Sequence, residues 1–338
     1  MKNHFSTKWQ HRLWAIACAL ACSCATQTSF AAAIAGSMTE PFDYPDATQF
    51  INASTLNGGV GWNLTGTGDP NAAAANWGSA NNGGTATYRT ATTPGLSFSA
   101  VGYYAASGNK LTLDAVTANQ TQNMGRAFGG QSIDSGTTYF SLLMSKNNDT
   151  IRTMNWAFFN GTTERFAVGM IGATAGNTAG NIGMLMNNSN PAGLIQNSVS
   201  PVAMGVGVTH LLIGRIDWNA GGNETVSLWI DSADVTSEAA AGAAYLTTSG
   251  FELTAITGVR PFVGNGATVG GNPVPAISAN FDEFRLGGSW LSVTAVPEPA
   301  SLVLAGLGAV GLALALQRRK VIVLAPGGRL AVKTVLKH

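Results

Sequence analysis

The sequence has little charge, and this shortage excludes one class of protein. Charged residues make up 10% of the 338 positions, whereas hydrophobic residues make up 45% and glycine alone contributes 42. Disordered chains combine low hydrophobicity with high charge, so this composition excludes a disordered protein. A chain rich in glycine, asparagine and threonine, without long amphipathic helices, instead favours short strands joined by many turns.

Cysteine and histidine are also scarce. The three cysteines, Cys18, Cys22 and Cys24, all lie in an N-terminal apolar run. A chain processed behind this run would hold none, which excludes disulfides, a thiolate nucleophile and cysteine metal ligands. His210 is the one histidine between residues 34 and 295, so a histidine pair or zinc cluster lacks members. We expect His210 to be partly exposed at a sheet edge.

Acidic and basic residues are segregated along the chain. Three Lys/Arg precede residue 13 and six follow residue 317, whereas the middle holds nine Lys/Arg against all 17 Asp/Glu, a net charge of −8. Nucleic-acid binding needs clustered basic residues, so this acidic middle argues against it. Each basic cluster flanks an apolar run, which is where the positive-inside rule places cations.

The first 33 residues have the parts of a secretory signal peptide. The apolar run 13–25 is too short to span a bilayer, and small residues after it permit cleavage behind Ala31 or Ala33. We predict that residues 1–33 direct export through the Sec machinery and are then removed. The basic region in front of the run consists of Lys2, Lys8 and Arg12.

The C-terminal end combines a short motif, an apolar run and a basic cluster, in that order. The motif is Pro297, Glu298 and Pro299, and the uncharged run 300–316 follows it. As a helix this run would be about 26 Å long, at the short end of what crosses a bilayer. The prolines disfavour helix before them, so the motif should be extended and accessible. The cluster behind the run is Arg318, Arg319 and Lys320.

This order resembles the PEP-CTERM sorting signal of Gram-negative bacteria, over residues 296–320. The resemblance implies recognition by an exosortase, an integral-membrane cysteine transpeptidase, and association with exopolysaccharide and biofilm. It also implies anchoring by the helix 300–316 before processing, and then a place at the cell surface or in the extracellular matrix. Members of the family usually end soon after the basic cluster, whereas this chain continues through 321–338. That extension either forms an interfacial helix, with Arg329, Lys333 and Lys337 on one face, or has no function.

Between residues 34 and 295 the periodicity is that of strands. Asn160 and Gly161 indicate a β-hairpin. Residues 162–164 make its loop longer than the usual two residues. A second hairpin surrounds the loop 219–222, and 238–245 is the one helix-like stretch. The predicted strands cover residues 139–144, 156–159, 165–171, 211–218, 225–230 and 281–286.

Many strands without a long helix predict two antiparallel sheets packed as a sandwich. The order of motifs is similar to that of the laminin-G-like, concanavalin A-like jelly rolls often found ahead of PEP-CTERM signals. This resemblance implies an all-β jelly-roll domain of lectin type over residues 34–295 and transfers no ligand site. The motifs that carry it are residues 40–44, 57–62, 210–217, 226–231 and 281–287.

Few residues in this domain suggest chemistry. Asp282 and Glu283 are adjacent, and neighbouring strand residues point to opposite faces, so they should not flank one glycosidic bond. We expect one carboxylate to be solvated and the other to be hydrogen-bonded or paired with Arg285. We therefore predict no catalytic residue and no enzymatic activity.

Oxygen-bearing side chains in the second hairpin suggest either calcium or ordinary turn chemistry. They are Asp217, Asn219, Asn223 and Glu224. No cofactor is required by any other feature of the sequence, and calcium stays an open alternative at this loop.

Two tryptophans are candidate platforms for sugar rings, because an aromatic face suits the apolar face of a carbohydrate. Trp77 lies in a Gly/Asn-rich loop, and Trp229 lies on the mixed face of its strand; other tryptophans should be core residues. The predicted function is a non-enzymatic surface or matrix protein that associates with exopolysaccharide. A lectin module with a defined glycan is the alternative, and a glycoside hydrolase is a more distant one.

Overall fold

A computed structural model describes most of the predicted domain. The described residues are 37–50, 59, 62, 77, 80–83, 88–103, 108–114, 121–129, 132–171, 180–189, 192–264 and 277–295. The predicted signal peptide, sorting motif, membrane helix, basic cluster and C-terminal extension lie outside them. Within the described part of the chain, no helix is long and apolar enough to cross a membrane.

Fifteen strands and one short helix make up the described secondary structure. In chain order they are β1 (Met38–Glu40), β2 (Ala80–Gly83), β3 (Arg89–Thr92), β4 (Lys110–Asp114), β5 (Gln122–Ala127), β6 (Thr137–Lys146), β7 (Thr153–Asn160), β8 (Thr163–Met170), β9 (Asn181–Ser189), β10 (Ala192–Ala203), β11 (His210–Asp217), β12 (Glu224–Ile230), β13 (Leu246–Phe251), β14 (Gly258–Gly264), β15 (Ser278–Gly287) and α1 (Trp290–Thr294).

The strands form two sheets. The eight-stranded sheet has the order β13-β12-β11-β6-β15-β4-β3, with β1 also paired to β15, and the seven-stranded sheet has the order β10-β9-β8-β7-β14-β5-β2. All pairs between these strands are antiparallel. The predicted all-β, two-sheet antiparallel sandwich is therefore confirmed.

The first predicted hairpin exists, but its loop is shorter than expected. Asn160 pairs with Thr163, so only Gly161 and Thr162 join β7 to β8. Gly161 has a φ of 58°, and a glycine with positive φ at the first of two loop positions is what a type II′ turn requires. Thr163 and Glu164, which the sequence placed in the loop, instead pair with Asn160 and Phe159, and Arg165 forms a β-bulge opposite Phe158 and Phe159.

The helix-like stretch 238–245 is not a helix. Residues 238–241 form a turn, and Gly242, with a φ of 79°, ends it. Alanine favours helix by propensity, but so short a segment forms one only if its surroundings stabilise it. Here the surroundings hold the segment as a cover on the eight-stranded sheet, with the Ser232 hydroxyl donating to the Ala241 carbonyl at 3.3 Å.

That cover makes the outer surface of the eight-stranded sheet a second, smaller core. Apolar strand residues there are overlaid by residues 96–103, by the segment around Val235 and by α1. Trp290 Nε1 donates to the Val235 carbonyl at 2.8 Å and so fixes α1 to this layer. The cluster comprises Leu96, Tyr103, Leu143, Leu211, Ile213, Trp229, Val235, Trp290 and Val293.

Between the sheets, a buried ion pair lies among aromatic rings. Glu40 of β1 belongs to the eight-stranded sheet and Arg126 of β5 to the seven-stranded sheet, and Arg126 Nη1 lies 2.5 Å from Glu40 Oε2. The Arg126 guanidinium lies 3.9 Å from the centroid of the Trp62 ring. Glu40 also accepts hydrogen bonds from Trp77 Nε1 at 2.7 Å and from the Phe42 amide at 3.0 Å. The pair therefore connects the two sheets through the middle of the core.

Glu40→Ala should lower the free energy of unfolding by about 3–5 kcal/mol, because it leaves the Arg126 charge buried without its partner. Asp149→Ala is the matched control. It removes a carboxylate that is 91% exposed and pairs with Lys146, and should cost less than about 1 kcal/mol. Urea unfolding of the two variants measures both values, and equal costs would contradict the stabilising role of the buried pair.

Candidate functional site

The strands of the seven-stranded sheet alternate between a core face and an outward face. In β7, the side chains of Met154, Trp156 and Phe158 belong to the core between the sheets. Successive strand residues point to opposite sides, so every second residue from Asn155 points outward. We call the outward surface of β5, β14, β7 and β8 the Arg260 face. Its side chains with polar or aromatic groups include Asn123, Asn155, Phe159, Glu164, Arg165, Arg260 and Phe262.

A row of three residues crosses this face. Phe262 of β14 is the register partner of Asn155 on one side and of Asn123 on the other. Neighbouring strands lie about 4.8 Å apart, so the two amides flank the partly exposed ring. Asn155 and Asn123 are 3% and 6% exposed, and their Oδ1 atoms accept no hydrogen bond. An unpaired buried acceptor costs stability, so the fold tolerates this cost at two positions beside the Phe262 ring.

Next to this row, the Arg260 side chain stacks on two rings. Its guanidinium carbon lies 4.4 Å from the ring centroid of Phe159 and 5.2 Å from that of Phe262. Arg260 Nη2 donates to Glu164 Oε2 at 2.7 Å. Burial lowers the pKa of Arg260, and the negative charge of Glu164 partly offsets this shift. Burial likewise raises the pKa of Glu164, and the positive charge of Arg260 partly offsets that shift. The face thus presents fixed donors, acceptors and a ring, which suits a polyhydroxylated ligand.

Sequence reasoning missed this face because it missed β14. Arg260 and Phe262 alternate with apolar residues, which is the strand signal that was available. Pro261 stands between them and argues against an interior strand, since proline cannot donate to a ladder. In the structure β14 lies between β7 and β5, and the register of β14 with β5 leaves Pro261 unpaired on that side.

The two predicted tryptophan platforms do not lie on this face, and the expected exposure of their rings is wrong. Trp77 is fully buried and bound to Glu40. Trp229 is 4% exposed, donates from Nε1 to the Gly242 carbonyl at 2.8 Å, and packs edge-on against Trp290 at 5.2 Å. The mixed face of β12 looked open in sequence because residues distant in the chain form its cover.

His210 is also buried rather than partly exposed. It is 4% exposed, because β11 lies between β6 and β12 and not at an edge. Its Nδ1 lies 2.7 Å from Asp231 Oδ2, and the Leu211 amide donates to Asp231 Oδ1 at 2.8 Å. The histidine therefore helps to fix the end of the β11–β12 hairpin.

The candidate calcium ligands have other partners. Asp217 accepts hydrogen bonds from Arg215 Nε at 2.9 Å and from the Thr137 hydroxyl at 3.1 Å. Glu224 points inward, where it accepts a hydrogen bond from the Leu253 backbone amide at 3.0 Å. No group of three or more His, Cys, Asp or Glu within the described residues could hold a metal ion. Asp217 therefore stabilises the strand ends beside the hairpin loop, and Glu224 stabilises the backbone of the buried segment at Leu253.

Asp282 and Glu283 lie on one side of their strand, so the expectation that they point to opposite faces is wrong. The register of β15 with β6 shifts between Asp282 and Arg285, and Glu283 has a φ of 50°. Such a bulge breaks the alternation of side chains. Neither carboxylate is solvated: Asp282 is fully buried, and Glu283 is 3% exposed and accepts from Arg285 Nη2 at 2.8 Å.

The Asp282 carboxyl group holds residues 95–103 against the sheet. It accepts hydrogen bonds from the backbone amides of Leu96 at 2.7 Å and Glu283 at 2.8 Å. A Cβ atom on Gly95 would lie 2.9 Å from Asp282 Oδ2, so the chain above leaves no room for a substrate. Burial raises the pKa of Asp282 to about 9, and the carboxyl group is protonated at neutral pH.

The free energy of unfolding should therefore fall as the pH rises from about 4 to about 9. The unfolded chain releases the Asp282 proton near the ordinary pKa of 3.8, whereas the folded protein releases it at about 9. Asp282→Asn removes this titration and should make the decline shallower in chemical denaturation at a series of pH values. Asp149→Asn, at a position that is 91% exposed, should keep the wild-type slope. An unchanged slope in Asp282→Asn would contradict the assignment.

Comparison with known proteins gives distant structural likenesses. The chain is similar to a Bacillus licheniformis β-glucanase at 12% identity, with 74% of this chain and 97% of that chain covered and a TM-score of 0.39. It is similar to the alginate lyase Aly36B at 13% identity, with 75% of this chain and 97% of that chain covered and a TM-score of 0.38. It is also similar to an endo-β-1,4-glucuronan lyase of the fungus Trichoderma reesei at 12% identity. That comparison covers 63% of this chain and 96% of that chain, with a TM-score of 0.38. These values identify no ligand and no reaction for this chain.

Among curated proteins, none matches the sequence. The PEP-CTERM protein-sorting motif, in contrast, matches residues 295–320. The match includes the predicted Pro297, Glu298 and Pro299 together with the apolar run and the basic cluster. The motif implies an exported protein that is anchored at the membrane and processed there by an exosortase. The chain thus carries a PEP-CTERM sorting motif behind an all-β, two-sheet antiparallel sandwich.

Proposed function

We propose that this chain is a non-enzymatic protein of the cell surface or biofilm matrix, and that it associates with exopolysaccharide through the Arg260 face. In this proposal residues 1–33 direct export, residues 300–316 anchor the precursor, and an exosortase acts at Pro297–Pro299. The sandwich is of the concanavalin A-like jelly-roll type. The sorting motif at residues 295–320 is the observation that carries the proposal.

Three features of the Arg260 face support polysaccharide as the ligand. Phe262 offers a partly exposed ring, and the flanking Asn123 and Asn155 hold acceptors that no protein group satisfies. A carbohydrate presents apolar ring faces and many hydroxyl groups, which complement these two kinds of group. The surface lies on paired strands, which position a site more accurately than loops do.

The carboxylates support a binding role rather than hydrolysis. Glycoside hydrolysis generally uses two carboxyl groups placed on either side of the scissile bond. Glu164 is the one acidic residue in the seven strands of this sheet, and Arg260 already binds it. Asp282 and Glu283, the adjacent pair, lie buried on the other sheet.

Processing at the sorting motif is tested by replacing Pro297, Glu298 and Pro299 together with alanine. In cells that contain an exosortase, the wild-type protein should lose the C-terminal segment that the variant retains, because the variant lacks the extended recognition sequence. Intact-mass measurement of the purified proteins reads out the difference. Pro326→Ala, in the extension behind the motif, should be processed as wild type. A wild-type protein that keeps residues 321–338 in the presence of the exosortase would contradict the proposal.

Phe262→Ala should weaken polysaccharide binding by about 1 kcal/mol, roughly fivefold, because it removes the exposed ring between the two asparagines. Affinity electrophoresis of the full chain in gels that contain neutral or acidic exopolysaccharides measures the change. Tyr245→Ala removes an aromatic side chain that is 51% exposed and precedes β13 on the other sheet, and should leave mobility unchanged. The proposal fails if no polysaccharide retards the wild-type protein, or if incubation with one produces new reducing ends.

A further inference from the structure

One arginine differs from all other described cationic residues. Arg165 has neither an ion pair nor a hydrogen bond within the protein, whereas each other lysine and arginine of the described residues has an ion pair, a hydrogen bond, or another ring or electrostatic contact. Its Nε is buried without a partner, although the side chain as a whole is partly exposed. A guanidinium group carries five N–H donors in a planar fork that matches a carboxylate. The protein therefore uses none of the Arg165 donors, and those on the exposed part of the side chain remain for a ligand.

A β-bulge places Arg165 on the Arg260 face. Phe158 pairs with Phe166 and Phe159 pairs with Glu164, so Arg165 has no partner on β7. Phe166 belongs to the buried core, whereas Arg165 is partly exposed and therefore lies on the outward surface. Glu164 reaches the same face, as its contact with Arg260 shows. Without the extra residue, consecutive positions in β8 would point to opposite sides.

The charge balance of the sheet favours an anionic ligand. The charged residues in its seven strands are Arg126, Glu164, Arg165 and Arg260. Arg126 is buried with Glu40, and Glu164 balances Arg260, so Arg165 leaves one positive charge in excess. The chain between residues 13 and 317 has a net charge of −8. A polyanion is thus repelled by most of the protein and attracted at this face.

We propose that the Arg260 face recognises acidic polysaccharides that contain uronic acid units, with the Arg165 guanidinium binding their carboxylate groups. This inference rests on the proposed function. The row of Asn123, Phe262 and Asn155 binds the hydroxyl groups and ring faces that acidic and neutral sugars share, whereas Arg165 supplies the selectivity. Carboxylates are planar, so an arginine binds them in two parallel hydrogen bonds.

The test compares one polymer in two chemical states. Polygalacturonate and the same polymer with its carboxyl groups reduced to alcohols are immobilised, and binding of the full chain is measured by biolayer interferometry. The wild-type protein should bind polygalacturonate about tenfold more tightly or better, because hydrogen bonds to a charged group are the stronger ones. Arg165→Gln should lose this preference and bind the reduced polymer as wild type does.

Lys110→Gln is the matched control, since it removes one positive charge from β4, on the other sheet. It should keep the full preference for the acidic polymer, and thermal unfolding of all three proteins checks that each is folded at the temperature of the binding measurement. A wild-type protein that binds both polymers equally, or an Arg165→Gln variant that keeps the preference, would overturn the inference while leaving polysaccharide binding intact. Failure to bind either polymer would instead contradict the proposed function.

Discussion

The contact between Glu40 and Arg126 is the constraint on which the arrangement of the two sheets depends. A charged pair removed from water is tolerated only if its geometry is good and its remaining donors and acceptors are satisfied. Here Trp77 Nε1 and the Phe42 amide donate hydrogen bonds to the Glu40 carboxylate, and the Trp62 ring covers the Arg126 guanidinium. Because β1 pairs with β15 and β5 pairs with β14, the pair fixes how one sheet lies over the other. Arg89 adds a second polar link, from β3 to the Asn123 carbonyl of β5 at 3.1 Å.

The two sheets differ in what their outer surfaces can do. The eight-stranded sheet is covered by residues 96–103 and α1, so its polar residues, Asp282 among them, hold that cover in place. The seven-stranded sheet carries on its outer surface the Arg260 face, where Asn123 and Asn155 keep unsatisfied acceptors. The open outer surface of the seven-stranded sheet is therefore the one on which we place the ligand.

Two β-bulges decide the chemistry on these surfaces. In β15 the bulge at Glu283 brings two carboxylates to one side of the strand, where they are buried. In β8 the bulge at Arg165 brings an acid and a base to one outward face, next to Arg260. Alternation is the rule by which a strand is understood from sequence, and it fails at an inserted residue. This is why the orientation of Asp282 and Glu283 was predicted wrongly.

The amino-acid sequence by itself determined the class of the fold and the presence of a sorting motif. Alternating residues and turn signals such as Asn160-Gly161 are local, and so is the order of Pro297-Glu298-Pro299, apolar run and basic cluster. Tertiary structure decided which surfaces are open. Trp77 and Trp229 are buried by residues far away in the chain, and Pro261 lies in an interior strand because the register of β14 with β5 leaves it unpaired. Burial and register depend on contacts between distant segments, and these contacts leave no periodic trace in a single sequence.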